Sequence, residues 1–145
     1  MNNKLDRFIK AHERDYEIAL QEIKEGRKKS HWMWYIFPQI KRLGNSATSE
    51  FYGIEDIEEA SLYYNNKYLR EHLIEISQAL LDIDGNDITN ILGFPDNLKL
   101  QSSMTLFSLV DPKEKVFSEV LSKYYNDEKD MKTLDIINSK SDYYK

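Results

Sequence analysis

The chain has no cysteine in 145 residues. That absence removes disulfides, thiolate zinc sites, iron–sulfur ligation and a cysteine nucleophile together, and it fits a reducing compartment. Glycine and proline are scarce, at five and three, so few breaks punctuate the chain. No apolar run approaches about 18 residues, the length that would suggest a membrane-spanning helix. The opening stretch MNNKLDRFIKAHERD lacks the apolar core of a secretory signal. The expectation from these absences is a cytoplasmic protein with no membrane association.

What is present suffices for a folded core. Apolar residues make up 41% and aromatics 12%, while the 31% of charged residues mix both signs. The length matches one domain, taken as residues 1–145. The net charge of -5 makes non-specific nucleic-acid binding unlikely, because neutralising phosphates needs surplus Lys and Arg.

Apolar spacing is mostly helical. Leu5, Phe8, Ile9, Tyr16, Ala19, Leu20 and Ile23 follow a 3–4 period, and Gly26 suits the position just past a helix end. Ser30 is placed to cap a short helix over 31–37 that Pro38 would end. Further helices are predicted from Ser46 or Thr48 to Gly53, then over 57–64, 68–83, 87–92 and 98–110. Another starts at Asp111-Pro112, and the last covers 131–137, with 139–145 as a loose tail. The predicted class is an all-α, compact single-domain bundle of about seven or eight helices.

Acidic residues are missing from one place. Asp and Glu number 25, so the 24-residue stretch 26–49 should hold about four, yet it has none. It carries Arg27, Lys28, Lys29, Lys41 and Arg42, so it stands at +5 while the rest of the chain stands at -10. Its centre reads GRKKSHWMWYIFPQ and contains both tryptophans. A basic run ahead of a helix N-terminus favours an anion. Trp32, Trp34 and Tyr35 offer flat surfaces for stacking. At helical spacing His31, Trp34 and Tyr35 share a side, and Trp32, Met33, Ile36 and Phe37 point inward. His31 in a first helical turn would have a lowered pKa and could exchange a proton, which makes it the candidate catalytic residue. Against these readings stand the ordinary ones: tryptophans in the core and a solvated RKK run.

A second stretch, LKLQSSMTLFSLV, has no charge between Lys99 and Asp111. A helix apolar around most of its circumference is central and buried. Gln101, Thr105 and Ser108 form an uncharged polar stripe, which either bonds back to the preceding turn or faces a polar cavity with Ser102 and Ser103. A Ser–Lys pair using Lys99 is geometrically allowed but common by chance. DIDGND is no calcium loop, since its glycine falls at position 4 and Gly93 stands where a glutamate is needed. His12, His31 and His72 form no metal-ligand pattern, and no cofactor motif is present.

LDRF, ALQEIKEGRKKSHWMWYIFPQ, LGNSATSEFYGI, the EAxxYY segment, ILGFPDNLKLQSSMTLF, VFSEVLSKYY and D-x-x-TL together resemble the bacterial domain-of-unknown-function family 1810 over nearly the whole chain. The resemblance implies a small helical cytoplasmic protein and no particular activity. Some members carry the label calpastatin, but calpain inhibitors are disordered repeats and this chain reads as folded.

Two functions follow from the residues. One is binding, with or without turnover, of an anionic ring-bearing small molecule of nucleotide type. In that case Arg27 and Lys28 hold the anion, Trp34 or Tyr35 stacks, and Ser30, His31, Gln39, Ser102 and Ser103 supply polar contacts. The alternative is a protein–protein interaction module that docks a partner through the aromatic segment and needs an exposed apolar patch there.

Overall fold

The computed structural model describes residues 4–143. Among these residues there are nine α-helices, a 3-10 turn and no strand; one isolated parallel bridge pairs Ile40 with Ile54. In chain order the helices are α1 (Asp6–Lys24), α2 (Met33–Ile36), α3 (Ala47–Tyr52), α4 (Ile57–Asn65), α5 (Lys67–Leu81), α6 (Ile88–Leu92), α7 (Asp96–Val110), α8 (Lys115–Tyr125) and α9 (Met131–Tyr143). The fold class is therefore the all-α one expected, with a slightly higher helix count because α2 and α6 are short.

Local chemistry sets most helix ends. Gly26 takes φ 80° after α1, a left-handed position that Gly occupies without a Cβ clash. The Ser46 hydroxyl accepts the Ser49 amide at 3.1 Å while the Ser49 hydroxyl accepts the Ser46 amide at 2.9 Å, a reciprocal cap on α3. Asp56, Asn66 and Asp87 cap α4, α5 and α6 in the same way with one side-chain acceptor each.

Helix α7 lies at the centre and packs against α2, α4, α6, α8 and α9. Its Leu100, Met104, Leu106 and Phe107 have no exposure, as the lack of charge along it led us to expect. Helix α1 packs on α5, and α5 on α8, closing the other side of the core. The polar stripe of α7 is satisfied locally: the Thr105 hydroxyl donates to the Gln101 carbonyl at 2.8 Å and Ser108 to the Thr105 carbonyl at 2.7 Å. Gln101 donates to the Glu128 carbonyl at 2.9 Å, and the Asp130 amide donates to the Thr105 hydroxyl at 2.9 Å. The stripe thus holds the turn that leads into α9.

Three boundaries differ from the sequence reading. The helix expected over 31–37 is a single turn, Met33–Ile36, preceded by Trp32 without a side-chain cap. The start expected at Pro112 falls at Lys115, because the Glu114 carboxylate accepts the Val116 amide at 3.2 Å and caps α8 there. Helix α9 continues to Tyr143, so residues 139–143 are helical where a loose tail was expected. Residues 144–145 lie outside the described residues.

Candidate ligand-binding cleft

The acid-free window is acid-free only along the chain, because the fold brings carboxylates to it. Glu22, on α1, is 7% exposed and turns into the loop that follows. Its Oε1 accepts the Lys29 amide at 2.8 Å, the Ser30 amide at 3.0 Å and the Trp32 indole N–H at 2.9 Å; its Oε2 accepts the Ser30 hydroxyl at 2.6 Å. Burial pushes this carboxyl's pKa up, but the four donors outweigh it and hold the group down at about 2. The N–H groups expected to receive a foreign anion therefore already hold the protein's own.

This corrects several expectations. Ser30 neither caps a helix nor faces a ligand, since its hydroxyl is committed to Glu22. His31 is exposed and precedes a four-residue helix, so it lies outside any helical first turn. Arg27 is exposed and lines neither chamber of the cleft described below. Tyr35 points away from Trp34: it is 5% exposed and its hydroxyl donates to Asp15 on α1. Burial first, and Asp15 next, push its phenol up to about 12. Ser103 is fully buried, its hydroxyl has no partner, and it lines neither chamber. Trp32 is core, at 1% exposure.

The remaining candidates converge. Beside α7 lies a surface cleft of two chambers, about 220 Å³ and 560 Å³, that share Trp34, Ser46 and Lys99. Lys28, His31 and Asp96 line the smaller chamber; Gln39, Ser102 and Asp130 line the larger. Trp34 is 6% exposed yet stands outside the apolar core cluster. Its neighbours are polar and small. A Cβ built on Gly44 would lie 2.6 Å from the Trp34 ring carbon Cζ2, so the backbone approaches the indole as only glycine allows.

Two lysines share one carboxylate at the junction. Lys28 Nζ lies 2.8 Å from Asp96 Oδ2, and Lys99 Nζ 3.2 Å from Asp96 Oδ1. The trio keeps one positive charge over. Lys99 Nζ also stands 5.8 Å from the Trp34 ring centroid. Its pairing with Asp96 draws it away from the Ser–Lys reading. In the larger chamber the Ser102 hydroxyl lies 3.0 Å from Asp130 Oδ2, and Leu98 and Met131, 49% and 64% exposed, add apolar surface.

Sequence reasoning did not place Asp96, Asp130, Ser46 or Lys99 in the cleft. Asp130 had a legible signal: the Thr133 amide donates to its carboxylate at 3.1 Å, the cap pattern announced by D-x-x-T. Asp96 had only its i,i+3 spacing from Lys99, and Lys28 joins the pair only when α7 docks against the 27–34 loop.

Trp32, Trp34, Tyr35 and Phe37 are all at least nine-tenths buried, so they form no exposed apolar patch. The exposed large apolar side chains are elsewhere, among them Phe51, Phe94, Leu98 and Met131.

Fold and cleft together define a small all-α protein with a two-chambered cleft against its central helix. The chain belongs to the family described as protein of unknown function (DUF1810), which it matches over residues 2–137. It is similar to a solved structure, the conserved hypothetical protein Rv1873 from Mycobacterium tuberculosis. That chain is 38% identical with a TM-score of 0.90, and the match covers 92% of this chain and 96% of the other. No curated protein matches significantly. Among the described residues no helix is long and apolar enough to cross a membrane.

Proposed function

We propose that the protein binds an anionic, ring-bearing small molecule of nucleotide type in the cleft beside α7, in a cytoplasmic setting. One observation carries the reading: Trp34 forms the wall common to both chambers, beside two lysines that share a single carboxylate. A flat ring in the larger chamber meets Trp34 and the apolar rim of Leu98 and Met131. The anionic group meets Lys28 and Lys99, which together with Asp96 carry one net positive charge. His31 stands beside that group at the edge of the smaller chamber, the position from which it would contact or protonate the bound anion.

Tryptophan fluorescence tests the reading directly. Titration with UMP, GMP and AMP is expected to give a saturable change that disappears in Trp34→Phe, because Trp32 is sealed against Glu22 and does not report on the cleft. Lys99→Ala is expected to weaken binding about fivefold or more at low salt, and less at high salt. No saturable response to any of these nucleotides, by fluorescence or calorimetry, would overturn the proposal.

A further inference from the structure

Gln39 lines the larger chamber, and the protein leaves its side-chain amide donor without an acceptor. Gln39 is 2% exposed, and its Nε2 is enclosed with no hydrogen-bond partner. Buried amide N–H groups in native proteins find partners, so this one points to an acceptor brought from outside. The backbone beneath it is fixed: the Gln39 carbonyl accepts the Ile54 amide at 2.9 Å, and the Lys41 amide donates to the Ile54 carbonyl at 2.8 Å. The donor is therefore mounted on a rigid support.

Asp130 lines the same chamber with the opposite polarity. The Ser102 hydroxyl, the Thr133 amide and the Thr133 hydroxyl all lie on its Oδ2, at 3.0, 3.1 and 2.6 Å. None of these three reaches Oδ1. Three contacts on one oxygen hold the carboxylate in place and leave the other oxygen to accept. Lys28 and Lys99 draw a phosphate to the junction with the smaller chamber, so the ring occupies the larger one.

Resting on the ligand-binding reading above, we propose that Gln39 and Asp130 read the hydrogen-bonding edge of the ligand's ring. Gln39 Nε2 donates to a ring carbonyl or ring nitrogen, and Asp130 Oδ1 accepts from the neighbouring N–H. The ligand class is then a nucleobase, or another heterocycle, with an acceptor and a donor side by side; a bare aromatic ring lacks both.

The test compares the affinity of the full chain for UMP, AMP and phenyl phosphate, which all carry the anion but differ in the ring edge. UMP or AMP is expected to bind at least about tenfold more tightly than phenyl phosphate, because a site built to hydrogen-bond a group rejects the analogue lacking it. Gln39→Met is expected to bring that ratio to about twofold or less while leaving phenyl phosphate unchanged. Asp130→Asn, which can still cap α9, is a second variant expected to lower the ratio even if Gln39→Met fails to fold. Equal binding of all three ligands by the unsubstituted protein would overturn the edge reading and leave the anion-and-ring reading standing. An unaltered ratio in both variants would overturn it as well. Absence of binding by every ligand would overturn both.

Discussion

Glu22 allows the sharpest physical test of how this protein is held together. Its carboxylate serves four donors in the loop between α1 and α2, and its pKa is about 2 in the folded chain against an ordinary 4.5. Because the folded value is the lower one, the stabilisation is fully present above about pH 5 and is lost as pH falls through 4.5 towards 2. A difference of this size corresponds to about 3 kcal/mol at neutral pH. Solvent at the outer edge of the loop reduces that, so about 2–3 kcal/mol is the working figure. Glu22→Gln keeps one acceptor oxygen for the two amides and the indole N–H, but it loses the charge and turns an NH2 towards the Ser30 hydroxyl. The expected destabilisation at pH 7 is therefore about 2 kcal/mol, a fall in Tm of roughly 4–8 °C for a chain of this size. Urea denaturation at pH 7, 5 and 3 measures it, with the gap between the two proteins narrowing as pH falls. A variant within about 0.5 kcal/mol of the parent at pH 7, or a gap that does not change with pH, would refute the reasoning.

Four other outcomes follow from single contacts. Gly44→Ala places a methyl 2.6 Å from both Trp34 Cζ2 and Ser49 Cβ, so it should cost about 1–3 kcal/mol in thermal or chemical unfolding and shift the Trp34 fluorescence. His12 lies buried, with Nε2 2.8 Å from the Tyr35 carbonyl and Nδ1 2.9 Å from His72 Nδ1; burial, the largest cause, lowers its pKa to about 4. The unfolded chain therefore binds the extra proton between about pH 6.5 and 4, stability from this group falls as pH drops through that window, and an NMR titration midpoint near 6.5 would contradict the geometry. Thr105→Val removes the acceptor of the Asp130 amide and should cost about 1–2 kcal/mol, with faster amide exchange at the start of α9. Ser103→Ala deletes a buried hydroxyl that has no partner, so it should leave stability unchanged or raise it by about 1 kcal/mol, without altering ligand affinity.

The readings that held used information confined to a few neighbouring residues. Ser46 before ATSE, Asp87 before ITN and Gly26 after a periodic apolar stripe each announce a helix end through contacts within one turn. The central place of α7 was also legible, since a helix without charge around its circumference has no face to give to water. The His31 helix failed for a different reason. Ser30 has the right chemistry to cap, but Glu22, eight residues back, competes for the same hydroxyl and amides and wins because it is charged. Tyr35 was placed beside Trp34 on the assumption of a full helix; with a single turn, its ring swings to Asp15 instead. Lys28, His31, Trp34, Gln39 and Ser102 do line one cleft, but docking of α7 against the 27–34 loop brings them there, not a helix terminus.

By itself the sequence determined the all-α class, most of the helix spans, the buried central helix and the concentration of positive charge in 26–49. Each of these depends on period, caps and composition, which act over at most a turn or two. The partners of that charge are set by the tertiary structure alone. Folding sets Glu22 against the 29–32 amides and gives Asp96 to Lys28 and Lys99 together. It also places Asp130 and Gln39 on one chamber. Apart from Asp96–Lys99, these groups lie on different elements, and their geometry exists only once the helices have docked.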